Sequence, residues 1–122
     1  IVDALSARPS EPGLLARLSG EHLHAPYLLD VEVMHAFRLL VRRGVLGSDR
    51  GTDAWRDYVM LRVTRYPHLP LLGRVWQLRD SLSAYDAIFV ALAELLDAPL
   101  VTCDAKLAAA RGHGARIELY GR

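Results

Sequence analysis

Three acids stand where a carboxylate is hard to explain as solvated surface: Glu32, Asp86 and Asp104. Glu32 lies early in a helical run, beside Leu28, Leu29 and Ala36 on the helical net, at the edge of the apolar stripe. An acid there is costly unless it is paired or bound to a metal. Asp86 opens a stretch containing Ile88, Ala91, Leu92 and Leu95, so apolar that the helix it starts is expected to be buried. Asp104 follows Leu100-Val101-Thr102, a short apolar strand. In open α/β sheets, sites form at the carboxyl ends of strands. Carboxylates gathered together raise one another's pKa, and a divalent cation offsets that repulsion. Hard oxygen donors favour Mg2+ or Mn2+ over zinc.

Each acid also has a purely structural reading. Ser83 followed three residues later by Asp86 matches a capping box. Asp104 suits the cap of an Ala-rich helix, Ala105 to Ala110, with Thr102 satisfying a loop amide. Glu32 could pair with Arg38 or His35. The ordered series of three is less easily explained this way than any one member.

Other chemistries drop out. Cys103 has Ala109 six residues later, where a cysteine phosphatase loop needs arginine, and is expected as packing at a strand end. His22 and His24 share a strand face, but no second ligand pair with zinc spacing follows. No GxxxxGK loop or GxGxxG fingerprint occurs. Trp55, Trp76 and the tyrosines are spread through helical segments, as core or partner-contact packing rather than base stacking.

The elements that must position the acids alternate in type. His22–Ala25, Leu61–Tyr66, Leu100–Thr102 and Arg116–Leu119 read as strands. Helices are expected from Ser10 to Leu18, Leu28 to Arg43 with Gly44 as C-cap, Ser48 or Asp49 to Met60, and Leu71 to Leu82. Ser83 then caps the next, and Ala105–Ala110 is the last. Alternation of this kind predicts an α/β fold with a parallel sheet. The strand-poor middle, Leu28 to Met60, predicts a helical pair on one side.

Composition agrees. At 122 residues, 52% hydrophobic and 24% charged, the chain suits one domain with one core. A net charge of +1 gives no global field toward nucleic acid. No apolar run reaches membrane-spanning length. The single cysteine excludes an internal disulfide and fits a reducing cytoplasm.

A family resemblance enters on three segments. Val31-Glu32-Val33 opens a helix after a short strand and proline. Tyr85-Asp86-Ala87 opens an apolar helix, and Leu100-Val101-Thr102-Cys103-Asp104 ends a strand. These resemble the acidic motifs of PIN-domain ribonucleases, in particular the VapC toxins of bacterial toxin–antitoxin pairs. The resemblance runs from Leu14 to Leu119. It implies an α/β/α sandwich around a parallel sheet and Mg2+- or Mn2+-dependent cleavage of RNA phosphodiesters. It also implies a cytoplasmic homodimer restrained by a VapB-like antitoxin that inserts into the site. Glu32, Asp86 and Asp104 then hold the metal, Thr102 positions a water or phosphate, and arginines such as Arg38 or Arg42 meet the RNA backbone. Apolar positions expected to be exposed (Val45, Leu46, Trp55 and Tyr58) suit a groove for an amphipathic antitoxin helix. The alternatives are a catalytically silent PIN-like module that binds a partner protein, and a small α/β domain that binds a phosphate ligand.

The beginning of the chain departs from the family pattern. PIN domains carry a further acid at the end of the first strand, followed two residues later by Ser or Asn, whereas Leu5 stands two residues after Asp3. Pro9 leaves a first helix after such a strand about one turn, which hardly supports itself. The spacing becomes ordinary if Ile1, Ala4 and Leu5 already form the inner face of that helix. Residues 1–122 are thus expected to be a single PIN-like domain whose first strand lies upstream, with Asp3 on a helix surface and without a metal role.

Overall fold

Strands and helices alternate so that every strand pair is parallel. The structure, a computed structural model, describes residues 2–5, 22–102 and 104–119, the first four through their backbone. Strands β1 (Val2–Leu5), β2 (His22–Pro26), β3 (Val63–Tyr66), β4 (Leu100–Thr102) and β5 (Ile117–Leu119) form a sheet in the order β3-β2-β1-β4-β5. Between them run α1 (Leu28–Arg42), α2 (Ser48–Val59), α3 (Leu72–Gln77), α4 (Ala84–Leu96) and α5 (Ala105–Ala109), with a single 3-10 turn, Leu69–Leu71, leading into α3. The expected helix Ser10–Leu18 and Cys103 lie outside the described residues.

The first element differs from expectation. Val2–Leu5 is a strand and not the start of a helix, and it sits in the middle of the sheet. Val2 lies opposite His22, and Ala4 opposite both His24 and Leu100. Ladders on both sides supply the stability that so short a segment lacks by itself. A short apolar run suits a strand paired on both edges as well as it suits a helix. The central strand expected upstream of Ile1 is therefore present in these residues, and Asp3 lies on it, opposite Leu23.

The core is organised by α4. Every residue from Ala87 to Ala93 is buried, because the helix packs on β1, β2 and β4 with α3 against it. A helix apolar all round has no face to give to water. Ser83 caps it as expected, its Oγ accepting the Asp86 N–H at 3.2 Å. The helical pair is also realised: α1 and α2 pack together, and Gly51 permits their close approach, since a Cβ there would stand 2.8 Å from Val41 Cγ2.

The far end of α4 is tied to α3 and to the loop before β5. Arg74 forms a two-pronged bond with Glu94, Nε to Oε1 at 2.7 Å and Nη2 to Oε2 at 2.9 Å. Glu94 Oε2 also accepts the Gly114 N–H at 2.6 Å. The Arg74 guanidinium holds the Glu94 carboxyl below its ordinary value near 4.5, against the upward push of burial. A depressed carboxylate stabilises the fold above its unfolded pKa, and that contribution is lost as pH falls. Glu94→Gln is expected to cost about 1–2 kcal/mol at pH 7, with Arg74's partial exposure discounted. Urea melts across a pH series should show the gap between the two proteins closing below the ordinary glutamate value of 4.5.

Candidate active site

Parallel strands put all their carboxyl ends on one edge, and the helix starts bring the acids there. A single residue, Tyr27, separates the end of β2 from the start of α1, which carries Glu32 to that edge. α5 begins just after β4, which does the same for Asp104. α4 is placed by the strand it leads into, reaching the amino end of β4 through residues 97–99. Its 13 residues span roughly 20 Å, longer than these strands, so Asp86 in its first turn lies at the carboxyl edge too. The chain moves outward from β1 through β2 to β3, then crosses back to β4 and β5. The crevice between β1 and β4 is the switch point where open α/β sheets bind ligands. Glu32 arrives from one side of it and Asp104 from the other.

The side chains differ in their commitments. Glu32 is half-buried, and its Oε1 is removed from solvent. Asp86 is half-buried. Asp104 is half-buried and caps α5, its Oδ1 accepting the Lys106 N–H at 2.9 Å and the Leu107 N–H at 3.4 Å. Thr102 is 0% exposed, and its Oγ1 accepts the Asp104 N–H at 3.0 Å. That hydroxyl holds Asp104 from inside the fold and has no solvent path to a substrate. Among the described residues, no three His, Cys, Asp or Glu side chains gather closely enough to hold a metal; the side chain of Asp3 is not among them.

The start of α1 carries a cluster that sequence reasoning missed. Asp30 Oδ1 accepts the Tyr58 hydroxyl at 2.6 Å, and Arg65 Nε reaches Oδ1 at 3.0 Å and Oδ2 at 2.9 Å. Burial pushes the Asp30 carboxyl up, but the Arg65 and Tyr58 hydrogen bonds outweigh it and hold the group below its usual range. Burial, then the bond to Asp30, pushes the Tyr58 phenol up. Tyr58, expected on an exposed apolar face, is only 8% exposed, whereas Val45 is 72% exposed. The available signal was an acid in the first turn of α1, but nothing in the spacing names its partners across the fold. Arg38 and Arg42, expected against RNA, line a groove of about 440 Å3 between α1 and α2, over Met34, Phe37, Val41 and Trp55.

Comparison with known proteins agrees with this fold. The PIN domain family model matches residues 1–112. The crystal structure of PAE2754 from Pyrobaculum aerophilum superposes with a TM-score of 0.69 at 23% identity, covering 96% of this chain and 89% of that one. A second, VapBC2 from Rickettsia felis bound to a DNA fragment from their promoter, gives a TM-score of 0.63 at 11% identity, covering 99% of this chain and 100% of that one. The parallel sheet and its flanking helices are thus those of a PIN-like α/β/α fold. Ribonuclease VapC12 of Mycobacterium tuberculosis is 40% identical over 97% of this chain and 92% of its own length. The chain belongs to the PIN-domain family and, within it, to the VapC ribonucleases.

The Thr102–Asp104 bond can be checked directly. Thr102→Val keeps the shape but leaves the Asp104 amide without its acceptor, a loss of roughly 1–3 kcal/mol. Chemical denaturation should show that loss.

Proposed function

We propose that the protein is a toxin-type endoribonuclease, dependent on Mg2+ or Mn2+, that hydrolyses RNA phosphodiester bonds and is restrained by a VapB-like antitoxin. What supports this reading is that Glu32 and Asp104 stand where the chain leaves the carboxyl ends of β2 and β4 on either side of the switch point, with Asp86 in the first turn of the buried helix between α3 and β4. The donor set fits a hard divalent ion: all are carboxylates, and one Glu32 oxygen is already withdrawn from water. Glu32, Asp86 and Asp104 would hold the ion. Asp3 joins the candidates because it is the acid on the central strand. The chemistry a bound ion supplies is acidification of a water and neutralisation of charge on the phosphorane. The chain contributes placement. Burial of α4 fixes the start of the helix that carries Asp86, and Thr102 orients Asp104 without touching RNA.

The α1–α2 groove suits a partner. Its floor is apolar and Arg38 and Arg42 are exposed, which favours an amphipathic antitoxin helix flanked by acids. A homodimer belongs to the same reading, and an RNA substrate places the protein in the cytoplasm. No helix among the described residues is long and apolar enough to cross a membrane.

Asp86→Asn retains the backbone N–H that Ser83 accepts but removes the charge. Mg2+ affinity measured by calorimetry and cleavage of a defined RNA should both be lost, with the circular dichroism spectrum unchanged. Normal cleavage by a variant that melts early would instead make Asp86 a capping residue and overturn its assignment to the metal site. In the groove, Trp55→Asp should weaken antitoxin binding at least tenfold in a titration followed by light scattering. Undiminished binding would move the partner elsewhere.

A further inference from the structure

α1 has no cap of its own. Its N-cap residue, Tyr27, makes no side-chain capping bond. The start of the helix is held instead from outside. The Tyr27 N–H donates to the Tyr66 carbonyl at 2.9 Å, and the Leu28 N–H donates to His68 Nε2 at 2.9 Å. Asp30, in the first turn, is gripped by Arg65 from β3 and Tyr58 from α2. Arg65 is itself steadied by donating from Nη1 to the Val63 carbonyl at 3.2 Å. Leu29 and Val33 fix which face of α1 meets the core. The external bonds then fix how far the helix slides and turns over that core. Glu32 sits two residues beyond Asp30, within the next turn.

We propose that Asp30 is a positioning residue for the metal site: clamped by Tyr58 and Arg65, it sets where α1 delivers Glu32. The inference rests on the assignment of Glu32 under the proposed function. Asp30 faces its own partners and takes no part as a ligand. A carboxylate on a helix start free to shift by an ångström delivers its oxygens outside coordination distance, so the clamp acts on affinity through geometry. Tyr58 and Arg65 act on the site through Asp30, and weakening either bond should shift the same readouts in the same direction as its loss.

The test compares Asp30→Asn, Tyr58→Phe and Glu32→Gln with the parent protein, each at a temperature where circular dichroism shows it folded. Mn2+ dissociation constants come from electron paramagnetic resonance of the free ion, and RNA cleavage gives kcat and KM separately. Asp30→Asn is expected to weaken Mn2+ binding about tenfold and to lower kcat while leaving KM for RNA near its parent value. Tyr58→Phe, which keeps the ring, should shift both quantities in the same direction by less. If Asp30→Asn melts earlier but binds Mn2+ with parent affinity, the cluster is merely structural and the proposal is overturned. If Glu32→Gln retains parent affinity, the assignment of Glu32 fails first. A loss in Asp30→Asn would then act by another route, and the proposal falls with it.

Discussion

The burial of α4 is the constraint on which the carboxyl edge depends. Ile88, Phe89, Val90 and Leu92 are each almost fully withdrawn from water, and such burial is worth roughly 1.5–3 kcal/mol per side chain. A capping bond is worth about 1 kcal/mol. Packing therefore decides where the helix lies, and the cap at Ser83 only decides where it starts. Because the helix must cross β1, β2 and β4 to hide its whole circumference, its first turn has one place to go. The position of Asp86 in that turn is set by the needs of residues that have no chemistry of their own.

α1 is held on a different principle. Only Leu29 and Val33 of its residues are fully buried, so burial leaves its position less determined than that of α4. Polar contacts at its start make up the difference, and they come from β3, from α2 and from the loop that carries His68. Charged contacts of this kind are directional and short-ranged, which suits the setting of one helix end to within fractions of an ångström. Apolar packing bears the load under Asp86, and hydrogen bonds supply the aim under Glu32.

How much was legible follows the same division. α4 and β4 could be read because their signals are local: a Ser cap, an unbroken apolar run, a short strand before an acid. Thr102 and Asp104 were legible as a turn for the same reason, and the bonds that reading allowed are present. β1 was misread because Ile1, Ala4 and Leu5 suit a helix face as well as a short strand, and the interval before Pro9 favoured the helix. Its identity lies in Ala4 facing His24 and Leu100, residues far away in sequence. Tyr58 was misread as one of the exposed apolar positions of the helical pair because its burial depends on a distant partner. Its partner Asp30 is 28 positions away, and no periodicity links the two.

Capping and metal binding, set against each other in the sequence, are compatible in the structure. Both capping bonds at α5 go to one oxygen of Asp104, Oδ1. A carboxylate has a second oxygen with its own lone pairs, so the cap fixes the group and leaves Oδ2 for another task. At α4 the capping bond is made by the Asp86 backbone N–H to Ser83, and the carboxylate is not consumed by it. At α5 the cap orients an acid where the chain turns from the edge of the sheet into a helix, and at α4 it fixes the turn from which the acid projects. A cap costs a site nothing when it uses the backbone or one oxygen of two. Local hydrogen bonding that would argue against a functional role for an isolated acid is, at this edge, what makes its direction definite.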